Sequence, residues 1–374
     1  MVFFNGNIFN GFGFVPGGFE VVDGRFRSVL EVDDSAGGVD LKGAFVIPGL
    51  IDLHNHGNSG ADFSDGDLEG LKAMGRFLLK NGITGFAPAS MTLPYPVLEK
   101  AFSTAKDYSD NRPAGGARLL GIQMEGPYFS EKKKGAQNAD YLKLPDFEGF
   151  KALYEGCGGL VKIVDLAAEL PGAVEFTQKA RELCRVSIAH TDASYEQASR
   201  VFAAGASHVT HLFNAMPPIH HRKPGVIGAA AERECVVGEL ICDGLHVHES
   251  VVRMAFKLFP GRICLVSDAL RCCGMPDGEY ELGGQQVFLK DSIARLEDGT
   301  IAGSATDLYR CMLNAIDFGI PAAEAILAAT LTPAIQLGWG DELGSIEEGK
   351  LADFLLCDED LALKQVFIGG KALS

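Results

Sequence analysis

Two histidines one residue apart close an apolar run, Val46-Ile47-Pro48-Gly49-Leu50-Ile51-Asp52-Leu53-His54-Asn55-His56-Gly57. In an extended chain residues i and i+2 face the same side, so His54 and His56 can present both imidazoles to one point. That is a metal-site geometry, imidazole being the commonest protein ligand. The plain alternative is a pair of surface histidines at a strand end. Four more residues with ligand or acid–base chemistry stand one step past later apolar runs. They are Glu125 after 118–124, His190 after 184–189, His211 after 206–210 and Asp268 after 262–267. Each alone reads as a solvated strand cap; jointly they point to one centre. Histidine and carboxylate without thiolate suit a borderline divalent metal, zinc first, then iron(II), manganese or cobalt. A catalytic site of that kind leaves a position open for water and lowers its pKa toward neutrality. Asp268, on the last run, is the candidate to take that water's proton and pass it to a leaving group, with a helix cap or turn as its structural alternative.

Such residues need a scaffold that brings strand ends together. Apolar runs lie at 45–53, 82–88, 118–124, 160–166, 184–189, 206–210, 235–242 and 262–267, and helical spacing lies between them, as at 67–80, 95–108, 173–183, 194–204 and 249–259. Eight strands alternating with helices predict an α/β fold with right-handed crossovers, closed as a (β/α)8 TIM-like barrel. An open doubly wound sheet would need a Gly-x-Gly-x-x-Gly after its first strand to bind a dinucleotide, and none follows. In a barrel the chemistry sits at the C-terminal strand ends, where the six residues above fall. The chain ends read differently. Asn5-Gly6, Pro16-Gly17-Gly18, Asp23-Gly24 and Gly37-Gly38 punctuate short strands, and Gly369-Gly370 does the same near the other end. The expected division is therefore residues 1–44 and 336–374 as two parts of one small β-sandwich domain, flanking a catalytic barrel over 45–335.

The chain of 374 residues accommodates a barrel of ~250 residues plus an accessory piece. A net charge of −16 argues against nucleic acid as a partner, because phosphate backbones need a basic surface. A small anionic substrate would need a local cation, and His220-His221-Arg222-Lys223 is a cationic island in an acidic chain. The Arg222 guanidinium can pair with phosphate bidentately, although a solvated basic loop would look the same. Nine cysteines, an odd total without C-x-x-C spacing, read as free thiols of a reducing cytosol. No basic segment precedes an apolar core at the N-terminus, and no apolar stretch reaches the ~18 residues a membrane span needs. A soluble cytoplasmic protein is expected.

Six stretches carry a family resemblance: Pro48 to Gly57, Met124-Glu125-Gly126-Pro127, Ala189-His190-Thr191-Asp192-Ala193, Thr210-His211-Leu212-Phe213-Asn214-Ala215-Met216-Pro217, Asp243-Gly244-Leu245-His246 and Val266-Ser267-Asp268-Ala269. Through them the chain resembles the N-acetylglucosamine-6-phosphate deacetylase family of the amidohydrolase superfamily over nearly its whole length. The His-Leu-Phe-Asn-Ala-Met run is the specific part; the His-x-His pair is shared by most of the superfamily. The resemblance implies that Glu125, His190 and His211 hold a main metal, and that His54 and His56 with Asp268 complete a second site. It further implies that Asn214, the backbone of Ala215, and His246 hold the sugar phosphate. Arg222 would reach that phosphate from a neighbouring subunit, so a homodimer is implied. No lysine closes the fourth run, which leads into Asp165, so Glu125 takes the bridging role instead of a carbamylated lysine. One departure stands out: family members often carry a histidine where Lys134-Gly135-Ala136-Gln137-Asn138 has Gln137, which can donate a hydrogen bond but carries no charge. The expected reaction is hydrolysis of the amide of N-acetylglucosamine 6-phosphate to glucosamine 6-phosphate and acetate. The alternatives are the galactosamine epimer or another N-acyl compound, a non-catalytic sugar-phosphate sensor, and a structural zinc protein, the last disfavoured by the lack of a cysteine-rich four-ligand set.

Overall fold

The computed structural model describes residues 1–30 and 37–373; residues 31–36, inside the expected N-terminal segment, and Ser374 lie outside the described residues. Eight parallel strands begin within the eight apolar runs, two of them, β1 and β3, extending past their C-terminal ends. They are β1 (Leu50–Asn55), β2 (Ile83–Pro88), β3 (Ile122–Tyr128), β4 (Val161–Leu166), β5 (Arg185–Ile188), β6 (His208–Val209), β7 (Val237–Ile241) and β8 (Ile263–Val266). β1 pairs with β2, and β3 to β8 pair in sequence order, all in parallel. Isolated parallel bridges, Ala89 to Gln123 and Asn55 to Ala269, link the end of β2 to β3 and the end of β8 to β1. Continuous apolar runs mark strands covered on both faces. The covering helices include Leu68–Lys80, Tyr95–Asp110, Tyr195–Ala204 and Glu249–Leu258. Local chemistry starts them where the sequence says: Asp67 caps the first of these helices by accepting from the Glu69 and Gly70 amides, and Ser194 with Gln197 forms a reciprocal capping box.

The run 45–53 is two strands, not one. Phe45–Pro48 pairs with Val2–Phe9 and Phe354–Cys357 in a separate sheet, and only after Gly49 does the chain enter the parallel set. A Cβ on Gly49 would collide with the Thr84 side chain, so no larger residue fits the crossing point. The separate sheet draws strands from both ends of the chain, from Val2–Phe9 to Lys371–Ala372. Phe3, Phe19, Phe26, Phe354 and Phe367 fill its core, with the Phe354 and Phe367 rings stacked at 4.4 Å. Each such burial is worth roughly 1.5–3 kcal/mol.

A third sheet lies outside the eight apolar runs and the two β-rich chain ends. Gly278–Leu282, Gln285–Lys290 and Ile293–Leu296 form an antiparallel meander after β8. Its Leu282, Val287 and Leu289 pack on Met91, Leu270 and Cys272, beside the ends of the parallel strands. No helix among the described residues is long and apolar enough to cross a membrane.

Candidate active site

The end of β1, the middle of β3 and the turns just after β5, β6 and β8 deliver the six expected residues to one place. His190 and His211 Nε2 lie 3.1 Å apart, and each is 3.1 Å from Glu125 Oε1. On the other side of the same carboxylate, His54 and His56 Nε2 are 3.3 Å apart, and His56 Nε2 stands 3.3 Å from both Glu125 Oε2 and Asp268 Oδ1. His190, His211 and Asp268 have φ of +41°, +31° and +49°, a left-handed conformation that costs a non-glycine residue about 1–3 kcal/mol. The chain must turn sharply at each strand end to aim these side chains inward, and the packed surroundings hold it there.

Beneath these residues lies a fully buried polar layer. Glu239, in the middle of β7, takes His54 Nδ1 at 2.8 Å on Oε2, and His208 Nε2 and the Gln123 amide, each at 3.0 Å, on Oε1. Gln123 Nε2 also donates to Asp165 Oδ2 at 3.2 Å. Burial, reinforced by Glu239 and Glu125, pushes the Asp165 carboxyl well above its usual range. At the closed end of β1, Ser267 donates to Asp52, whose pKa burial raises to about 6. Sequence reasoning missed this layer. The available signal was a polar residue inside a run otherwise apolar on both faces, as in Val236-Val237-Gly238-Glu239-Leu240-Ile241. His208 is buried in this layer, whereas His220, His221 and His248 are exposed, His248 capping its helix by accepting from the Ser250 amide.

A cavity of about 250 Å³ opens above the cluster, lined by His56, Glu125, Gln137, His190, His211, Asn214, Ala215, His246 and Asp268, with Met91, Leu270 and Leu282 as an apolar wall. Gln137 is buried and fixed at both ends of its amide: Oε1 accepts from the Thr92 N–H at 2.8 Å, and Nε2 donates to Glu125 Oε2 at 2.6 Å. His246 is held by Asp243, Nδ1 to Oδ2 at 2.7 Å; burial opposes charge on this ring, but Asp243 outweighs it and raises its pKa. Asn214 and Ala215 sit on the turn after His211, with Ala215 at φ +52°. Arg222 does not join them. It is exposed, with Nη1 2.7 Å from His221 Nε2, and does not line the cavity. A wider opening of about 650 Å³ lies at the opposite strand ends, near Lys162, Arg181, Arg185 and Trp339. Its cations bond to backbone carbonyls of Gly159, Ala204 and Gln336, and no acid–base cluster accompanies them, so the chemistry belongs to the smaller cavity.

The donor set fits a metal. Four imidazole Nε2 atoms and the carboxylates of Glu125 and Asp268 crowd together, and two groups sharing Glu125, one with His54 and His56 and one with His190 and His211, each place ligand atoms within 4.8 Å of one another. Without a cation such crowding is met by protons. Burial opposes charge on His56, but Asp268 and Glu125 outweigh it and raise its pKa to about 10; His54 is likewise raised, by Glu239 and Asp268. The ring's ordinary value is 6.5. In the metal-free protein the stabilisation from charged His56 is therefore full below pH 6.5 and is lost as pH rises through about 10. Metal must displace that proton. We expect zinc binding at pH 7 to release protons and its affinity to climb across this window. Calorimetry in buffers of different ionisation enthalpy measures the release, and binding without it would contradict the assignment of His54 and His56 as ligands.

Strand-end histidines and carboxylates of this composition define a metal-dependent hydrolase. An amidohydrolase family model matches residues 45–373. The chain is 38% identical over 321 residues to an N-acetylglucosamine-6-phosphate deacetylase of Bacillus subtilis, covering 84% of this chain and 81% of that one. It is also 32% identical over 356 residues to an N-acetylgalactosamine-6-phosphate deacetylase of Escherichia coli O157:H7, covering 95% and 94%. Among solved structures, a mutant of N-acetyl-D-glucosamine-6-phosphate deacetylase from Mycobacterium smegmatis, in complex with N-acetyl-D-glucosamine 6-phosphate, superposes with a TM-score of 0.93 at 28% identity, covering 100% of this chain and 98% of that one. The chain belongs to the amidohydrolase family, and it is a metal-dependent amide hydrolase. Family membership implies a divalent metal.

Proposed function

We propose that this chain hydrolyses the N-acetyl amide of N-acetyl-D-glucosamine 6-phosphate to D-glucosamine 6-phosphate and acetate. The observation that carries the reading is Asp268 Oδ1 at 3.3 Å from His56 Nε2, in a cavity that also holds the Glu125, His190 and His211 group and the raised-pKa His246. The ring of eight parallel strands is read as a (β/α)8 barrel over 45–335, with 1–44 and 336–374 as the small β domain. Glu125, His190 and His211 would hold one metal, and His54, His56 and Asp268 would complete a second site. A bound divalent metal, zinc first among zinc, iron(II), manganese and cobalt, would polarise the amide carbonyl and acidify a water.

The chain's own residues do the rest. Asp268 Oδ1 faces the imidazoles, so the proton taken from the attacking water travels on Oδ2 to the departing nitrogen. Gln137 Nε2 has two N–H groups; one is held by Glu125, and the second is free to donate to the substrate carbonyl. Met91, Leu270 and Leu282 exclude water from the acyl end. His246, whose pKa Asp243 raises, and Asn214 with the Ala215 amide receive the sugar phosphate. Arg222, outside the cavity of its own chain, serves the site of a neighbouring subunit in a cytoplasmic homodimer.

The test is acetate release by the metal-loaded protein from N-acetylglucosamine 6-phosphate, run beside the galactosamine 6-phosphate epimer and the unphosphorylated sugar. Turnover of the first well above the other two is expected. Preference for the epimer would shift the substrate, a reading that the E. coli relative and Gln137 keep in play. Arg222→Ala should raise KM for the phosphorylated sugar about 10–100-fold, one charge-assisted contact being worth about 1.5–3 kcal/mol, with little change in kcat. Unaltered KM in that variant would remove Arg222 from phosphate binding.

A further inference from the structure

We infer that Glu239 is a positioning residue that fixes the His54 ring with its proton on Nδ1, so that the Nε2 lone pair faces the Glu125–Asp268 centre. The inference rests on the metal-site reading above and goes beyond its ligand set.

Glu239 lies inside β7 with no solvent exposure, and its side chain is surrounded by nitrogen groups. Oε2 takes His54 Nδ1 at 2.8 Å and the His211 backbone N–H at 3.3 Å. Oε1 takes His208 Nε2 and the Gln123 amide, each at 3.0 Å. An ionised carboxylate only accepts, so His54 Nδ1 must carry the hydrogen. In a neutral ring the lone pair then falls on Nε2. That atom is 3.3 Å from His56 Nε2, 3.6 Å from Asp268 Oδ1 and 3.7 Å from Glu125 Oε1, an arrangement that suits a ligand better than a donor.

The four histidines are not treated alike. His190 Nδ1 is held by the Lys133 carbonyl at 2.9 Å, and His56 and His211 Nδ1 have no hydrogen-bond partner among the described residues. Among them only His54 is given a carboxylate, the partner that makes an imidazole a stronger ligand. His54 is also the most enclosed of the four, so solvent has no access to set its tautomer. Glu239 reaches the other group as well. Its backbone carbonyl accepts from the Leu212 N–H at 2.8 Å, and its side chain accepts from His211 N–H, so one strand residue orients one ligand of each group. Glutamine has the same shape but offers one oxygen and an amide NH2. Turned toward His54, that NH2 would accept no hydrogen bond and would favour the opposite tautomer.

The experiment is titration of zinc into metal-free wild type, E239Q and H56N against a chromogenic chelator, with thermal melts to confirm folding. H56N, which removes a ligand, marks the binding class that belongs to the His54–His56 group. Expected is a 10–100-fold weaker affinity for that class in E239Q, the usual effect of losing such a partner, with the His190–His211 class altered less. If wild type binds zinc and E239Q matches it in both classes, Glu239 only supports the fold and the inference is wrong. If wild type itself binds no zinc, the metal-site reading fails with it. Should E239Q not fold, nitrogen-15 histidine spectra of the zinc-loaded wild type decide. A strongly deshielded, exchange-protected Nδ1 proton on His54 supports the inference, and a rapidly exchanging Nδ1 or a proton on Nε2 overturns it.

Discussion

Asp268→Asn lowers kcat by about 10²–10⁴-fold, the range of a lost general acid–base group, while the Glu125, His190 and His211 group keeps its metal and KM changes little. The backbone at this position is pinned on both sides: its N–H donates to the His54 carbonyl at 3.0 Å, and its carbonyl accepts from the Ser304 N–H at 2.7 Å. The left-handed φ of +49° suits asparagine at least as well as aspartate, so the amide should sit where the carboxylate sat. What it loses is the capacity to hold a proton at the moment of transfer. Burial works against the charge of Asp268, but His54 and His56 hold its pKa below the ordinary carboxylate range in the metal-free protein, so the group starts the reaction as a base. Glu125 and the four histidines are untouched, so elemental analysis should find the metal of the Glu125, His190 and His211 group retained, with any loss confined to the site that Asp268 completes. Steady-state kinetics with metal quantified in the same samples checks the prediction. Near-normal turnover with metal bound would remove Asp268 from the proton path, and loss of both metal and activity would make it a ligand alone.

Much of this centre could be read from the chain because strand geometry is a short-range rule. A residue one step beyond an apolar run lies near a strand end: His190, His211 and Asp268 follow their strands by two residues, whereas Glu125 falls inside Ile122–Tyr128, which runs on past the apolar stretch. The buried layer beneath could not be found that way. Glu239 and Asp165 occupy strand interiors, where the pleat decides which side each faces, and their partners His54, His208 and Gln123 come from other strands. A glutamate in an apolar run signals a buried network without naming its members. The split at Gly49 was hidden for a related reason: Phe45–Pro48 and Leu50–Asn55 are equally apolar but belong to different sheets. In the meander over 278–296, Val287 and Leu289 are buried at alternate positions, a period of two that was legible but short.

Glu125→Gln should cost more than any other single change, because Glu125 is the residue common to both candidate metal groups. Oε1 faces His190 and His211, while Oε2 faces His56 and receives the Gln137 amide. Burial would by itself keep this carboxyl protonated; the surrounding histidines override it and hold its pKa well below the ordinary range. Removing one partner of a buried charge pair costs about 3–5 kcal/mol, although here the rings can shed protons and recover part of that. Stability of the metal-free form therefore falls by less than the pair value, and the main loss is in binding. An amide is a weak ligand and a poor bridge, so neither group retains an anion to offset a divalent charge. Activity should drop below that of Asp268→Asn, and the melting temperature should stop responding to zinc. In wild type a metal at 100 times its Kd adds about 2.7 kcal/mol to stability, so chelator lowers the melting temperature visibly. H56N is the control, since it removes a ligand from one group only and should retain part of the zinc response. A Glu125→Gln protein that melts higher with zinc and lower with chelator, as wild type does, would show that the histidines hold metal without their shared carboxylate. The centre would then be two independent imidazole sites and not one bridged pair.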